Sequence, residues 1–285
     1  SSVGSTTLNG ANLIGTLGNF TAANFALTNA QALAVNGSVN GGASTALKTT
    51  AGNLAINGAV NGTTTTLTSA GAITGSGVIT AGTLTGSSVG ATTLNGANLI
   101  GTLGNFTAAN FALTNAQALA VNGSVNGGAS TALTTTAGNL AINGVVNGTT
   151  TTLTSAGAIT EGAGGAITAG TLTGSSVGST TLNGANVVGA LGAFTTGGNF
   201  SFNNTQTLTV NNAPSANGGA GNLALTTTGA GSDLILASNL VGNTVTLSAG
   251  RNINQTAGAI TATTLTGSSV GSTTLNGANL IGTLG

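Results

Sequence analysis

A chain of 285 residues with two basic and two acidic side chains, no His, Cys, Met, Trp or Tyr, and 50 Gly lies far from an ordinary domain, in which about a quarter of residues are charged. Zero net charge, one Pro and 40% hydrophobic residues exclude a typical disordered chain, and Gly without a three-residue period excludes collagen. No apolar run reaches the roughly 18 residues of a membrane span, the few basic residues argue against nucleic-acid and anionic-membrane partners, and without Cys there is no disulfide framework.

The chain opens on Ser-Ser-Val-Gly-Ser-Thr-Thr-Leu-Asn-Gly-Ala-Asn, and this block returns at Ser87, Ser175 and Ser268, at spacings of 86, 88 and 93 residues. The long repeats are therefore 1–86, 87–174 and 175–267, with a fourth beginning at 268–285, and 1–285 reads as one continuous solenoid fragment. Neither an initiator Met nor a signal peptide is present, so the chain is expected to be a piece of a longer protein. Within the first repeat, Leu33-Ala34-Val35 and Leu54-Ala55-Ile56 alternate, which places the outer members of each triplet on one face of a strand. Asn36-Gly37, Asn40-Gly41, Asn57-Gly58 and Asn61-Gly62 punctuate them as tight turns. The run Thr63 to Thr66 is β-branched and suits a strand. Taking Leu33, Leu54, Ile73, Leu94 and Leu119 as equivalent gives steps of 21, 19, 21 and 25 residues, or four units per long repeat.

The second repeat copies the first, with Ser5 becoming Ala91, Lys48 becoming Thr134 and Ala59 becoming Val145, and with Glu161 to Ala166 in place of Gly75 to Val78. The third is more divergent and holds Pro214, Asp233 and Arg251. Units of about 20 residues that cannot bury an apolar face alone must stack on their neighbours. The expected architecture is all-β, a right-handed parallel β-helix (β-solenoid) of roughly 20 residues per coil and about 13 coils. Equivalent positions are expected to lie above one another, and like charges in such a stack repel, so the depletion of charge is expected from the stacking itself.

Chemistry-bearing residues are scarce. Nucleophilic catalysis needs a base beside the nucleophile, and His is absent; the only acids, Glu161 and Asp233, fall in different long repeats. No catalytic, cofactor-binding or metal residue is assigned, no cofactor is expected, and the chain is read as a non-enzyme. Gly229-Ala230-Gly231-Ser232-Asp233-Leu234-Ile235 partly matches a calcium-binding nonapeptide, but that motif works through Asp from successive turns; a Gly-rich corner is the favoured reading. Lys48 follows Leu47 and lacks the Gly-Lys-(Ser/Thr) of a phosphate loop. Phe20, Phe25, Phe106, Phe111, Phe194, Phe200 and Phe202 recur at matching places and are assigned to the core. Asn-x-(Ser/Thr) triplets at Asn19, Asn36, Asn61, Asn105, Asn122, Asn147, Asn199, Asn203 and Asn254 offer glycosylation acceptors, although a chain rich in these residues produces such triplets by chance.

Ser248 to Ala262 (Ser-Ala-Gly-Arg-Asn-Ile-Asn-Gln-Thr-Ala-Gly-Ala-Ile-Thr-Ala), Ala51 to Gly58 and Leu67 to Thr74 resemble the coil repeats of filamentous-haemagglutinin-type, two-partner-secreted adhesins. The resemblance of pattern covers nearly the whole chain. It implies a parallel β-helix exported by a Gram-negative bacterium and used for surface adhesion or matrix building. The near-identity of the long repeats shifts weight toward a uniform structural filament. The expected function is thus an extracellular structural or adhesive filament for attachment, cell–cell contact or matrix. Self-association, end to end or laterally, and other cells or surfaces are the expected partners. An ice-binding solenoid and the stalk of an autotransporter passenger are the alternatives.

Overall fold

The alternating triplets become strands because each puts two branched residues inward and a small one outward. Leu33–Val35 and Leu54–Ile56 bury their first and third members and leave the central Ala half exposed. The computed structural model describes residues 1–285. It is a parallel β-solenoid of about 14 turns, one more than the spacing predicts. Its one helical element is a short 3-10 turn, Asn217–Gly219, holding the one non-Gly residue at positive φ, Asn217. The chain divides into two compact units, Ser1–Gly138 and Asn139–Gly285.

In the first unit each turn has three sides. On one, Ser5, Asn24, Ser44, Thr64, Thr83 and Thr102 stack in parallel register. On the next in chain order, Leu33, Leu54, Ile73, Thr92, Phe111 and Thr131 do so. On the third, Phe20, Val39, Val60 and Ile79 are aligned. These registers correct the reading of four units per long repeat. Thr6 stacks under Phe25 on the first side, whereas its copy, Thr92, stacks between Ile73 and Phe111 on the second. Four turns carry Thr6 through Phe25, Thr45 and Thr65 to Leu84, and the eight residues from there to Thr92 round one more corner. A long repeat is four turns and about a third, and the 25-residue step concealed the extra third.

The second unit repeats the offset. Thr180 belongs to the stack of Ile159, Phe200, Leu223, Val245 and Leu265. Its copy, Thr273, belongs instead to the stack of Leu208, Leu234 and Ile253, on the following side. Within each unit, a copied residue therefore lies one side further round and never above its original.

The core is a narrow column of Leu, Ile, Val and Phe, each side chain contributing about 1.5–3 kcal/mol on burial. The Phe residues form pairs within the turns, with ring centroids 4.7 Å apart for Phe20–Phe25, 4.8 Å for Phe106–Phe111 and 5.0 Å for Phe194–Phe200. Phe106 and Phe194 stack on Gly86 and Gly174, where a Cβ would meet the ring at 2.7 Å. Corners are closed by buried Asn side chains that act like an extra peptide. Asn115 accepts from Ile100 N–H at 2.9 Å and donates to the carbonyls of Ile100 and Gln117 at 2.9 and 3.0 Å. Asn29 does the same with Ile14 and Gln31, and Asn204 with Val188 and Gln206.

Candidate interaction surface

The four charged residues do not converge. Lys48 projects from an outward row between Thr28 and Thr68. Glu161 occupies an inward position stacked on Ile142. One of its carboxylate oxygens accepts from Gly184 N–H at 2.6 Å and Asn186 Nδ2 at 3.0 Å, while Oε1 is buried without a partner. Burial raises its pKa, against the lowering effect of these two hydrogen bonds. Asp233, the residue of the calcium-like stretch, is committed to Arg251, whose Nε donates to Oδ1 at 2.8 Å and Nη2 to Oδ2, with Asn252 N–H at 3.0 Å. The hydrogen bonds from Arg251 are the main reason its carboxyl is held down at about 2. The strands of Phe202, Leu225 and Leu247 set Glu161 and Asp233 more than three turns apart, about 15 Å of rise. At that separation the two acids are too far apart to share one substrate bond.

Several Asn of the Asn-x-(Ser/Thr) triplets are structural. Asn19 and Asn105 accept the N–H of Ser38 and Ser124 at 2.8 Å, Asn199 that of Asn222 at 2.9 Å, and Asn203 donates its amide to Gly184 O at 3.0 Å. These side chains bridge neighbouring turns. An apolar hollow of about 110 Å³ lies against Leu247, Leu265, Gly267 and Leu284. Gly267 copies Gly86 and Gly174, beside which a Phe ring takes the corresponding space, so the hollow has the character of core.

What the surface does offer is hydroxyls in register. Thr64, Thr66 and Thr68 lie under Thr83, Thr85 and Ser87, with Thr102 above Thr83. In the second unit Thr150, Thr152 and Thr154 lie under Thr171, Thr173 and Ser175. Thr244, Thr246 and Ser248 likewise lie under Thr264, Thr266 and Ser268. Hydroxyls of adjacent turns are 3.1 Å apart at Thr66–Thr85 and 3.0 Å at Thr152–Thr173. Side chains on one strand face are two residues, or about 6.8 Å, apart, and neighbouring strands about 4.8 Å, so each patch is a small regular lattice. The third-of-a-turn offset separates the two patches of the second unit. Thr171 is continued by Ala190 and Thr209, while Thr246 is preceded by Ala224 and Ser201 on another side. The Thr runs are visible in the sequence; their alignment across turns is not, because it depends on the register.

No family model matches the chain, and no curated protein or solved structure matches it.

Proposed function

We infer that the chain is part of an extracellular structural or adhesive filament, of the kind its pattern resembles in filamentous-haemagglutinin-type adhesins, exported to the surface of a Gram-negative bacterium. The observation that carries this reading is a long-repeat solenoid whose parallel ladders present a nearly uncharged surface of Thr, Ser and Asn. Such a body suits mechanical work. Parallel ladders share a pulling load over many hydrogen bonds, and trypsin-like proteases have only Lys48 and Arg251 to attack. Many weak hydroxyl and amide contacts serve attachment to cells or matrix without a catalytic centre.

The Thr lattices bring the ice-binding alternative back into view, since regular hydroxyl rows are its main requirement. Each lattice covers only two or three turns, and in the second unit the next copy lies on another side, which gives that reading no extended plane. A thermal-hysteresis assay separates the two: the filament reading expects none.

The filament reading is tested by immunogold electron microscopy of intact producing cells with an antibody against residues 1–86. Label along filaments, between cells or in matrix is the expected result. Label confined to a short surface fringe would favour an adhesin or autotransporter stalk, and label only in the soluble fraction would overturn the proposal.

A further inference from the structure

One apolar side chain stands out of the surface at the same place in each long repeat. Val89 and Val177, each in the middle of its unit's Ser-Ser-Val-Gly turn, are 75% and 71% exposed, and Val270 repeats the position. Single exposed valines are common; these are held. Ser88 Oγ bonds Gly90 O at 2.7 Å and lies 2.8 Å from Thr92 Oγ1, and Val89 N–H donates to Ser69 O. Ser176 with Gly178 and Thr180, and Ser269 with Gly271 and Thr273, repeat the turn. The hydroxyl contacts close the turn in the same way each time, with the valine outward.

Beside Val89 is a hollow. The corner below Val89 carries Ala70 and then Thr50, whose N–H groups donate to Thr49 O and Asn29 O in the same pattern. The small residues beneath leave an open recess of about 400 Å³ edged by Thr50, Thr68, Ala70 and Val89, with Lys48 on its rim. Ala156 lies below Val177 at the equivalent corner, and Gly250 and Thr228 below Val270. A knob adjoining a recess that admits a valine is self-complementary about a two-fold axis.

We propose that these valines are lateral contacts between two copies of this chain, each copy seating its knob in the small-residue recess of the other. This rests on the filament reading and names its partner. The neutrality of the chain points to a like copy. Four charges in 285 residues give a charged partner almost nothing to pair with, whereas a second copy meets little repulsion beyond that of Lys48 on the recess rim. One valine is a weak contact; the two-fold arrangement seats two at once, one from each copy. In the second unit Val177 and Val270 follow different corner columns, Ser176–Thr196–Ala216 and Thr227–Ala249–Ser269. They are four turns and about a third apart, about 21 Å of rise, so successive knobs address different neighbours and build a bundle in place of a simple pair.

The test uses the full chain, comparing wild type with Val89→Ser/Val177→Ser/Val270→Ser by sedimentation velocity over a concentration series. The expected result is self-association of the wild type, weakened at least tenfold in the variant, with an unchanged circular-dichroism spectrum and melting temperature. Because the chain has no Cys, a Val89→Cys chain mixed with an Ala70→Cys chain under oxidising conditions is expected to give predominantly the mixed disulfide dimer. Equal association of wild type and variant would overturn the proposal by placing the contact elsewhere. A wild type that stays monomeric throughout would overturn it too, while leaving the filament reading to stand or fall on the electron microscopy.

Discussion

Thr65 is fully buried, between Thr45 and Leu84 in the inward stack of the first unit, and its hydroxyl has no hydrogen-bond partner. Its copy Thr151 is in the same state, and the third repeat carries Val245 at the corresponding inward position. Valine has nearly the shape of threonine without the hydroxyl. Leaving a buried hydroxyl unpaired costs about 1–3 kcal/mol, so Thr65→Val should stabilise the fold by about 1–2 kcal/mol, and Thr151→Val by a similar amount. For a unit of this size the gain corresponds to a rise in melting temperature of about 2–8 °C. Thr45, one turn below, is the internal control. It is equally buried, but its hydroxyl donates to Asn61 O at 2.6 Å and accepts from Gly41 N–H at 3.0 Å. Thr45→Val strips both partners and should destabilise by about 1–3 kcal/mol. Thermal melts of the three single variants against wild type read the result. A drop in melting temperature for Thr65→Val, or the same sign for Thr65 and Thr45, would refute the argument that the unpaired hydroxyl is the deciding term.

Asn115→Ala removes four hydrogen bonds from a buried corner and leaves Ile100 N–H and C=O without the Asn115 side chain; a loss of about 3 kcal/mol is expected by denaturant unfolding. Gly86→Ala would place a Cβ 2.1 Å from Leu67 O and 2.7 Å from the Phe106 ring, and overpacking should lower stability by about 1–3 kcal/mol or more. The acids should move stability in opposite directions with pH. Asp233, held down at about 2 from its ordinary 3.8, stabilises above about pH 4, and its contribution is lost as pH falls through 2. Glu161, raised from 4.5 by burial, contributes below 4.5 and loses that contribution as pH rises through its elevated folded value. In melts from pH 2 to 8, Asp233→Asn should remove part of the acid limb, and Glu161→Gln part of the decline on the neutral side.

The fold class was legible because period-2 triplets recurring at a solenoid period leave few alternatives, and the inward positions of Leu33, Val35, Leu54 and Ile56 follow directly from alternation. The phase of the winding was not. Leu94 and Leu119 look equivalent by composition, yet Leu94 stacks on Gly75 and under Leu113, one side away from Leu119. A corner costs a few residues whether or not a turn is completed, so residue counts alone cannot separate a long coil from a coil plus a corner. The double use of Asn was equally hidden. Asn-Gly pairs announce turns, but nothing in composition distinguishes them from Asn29, Asn115 or Asn204, which are buried and bonded to the backbone of the adjacent turn. The Asp233–Arg251 pairing was hidden too, because it needed the register that brings residues 18 apart together.

The register also changes the meaning of the missing charge. If every turn set like on like, a Lys would face a Lys at strand spacing, and neutrality would follow from the fold. Within the first unit it is otherwise: Lys48 faces Thr28 and Thr68, and a copied position is carried one side round, as Thr6 and Thr92 show. Charges of either sign on the outward rows would therefore cost the stack little, and the strong Asp233–Arg251 pair shows that adjacent turns accommodate opposite charges well. The backbone does not demand a neutral surface. Neutrality is then a property of the outside, where it removes the repulsion that keeps like chains apart. A surface that is neutral without structural need, with exposed valines above small-residue corners, is what the proposed contact between copies requires.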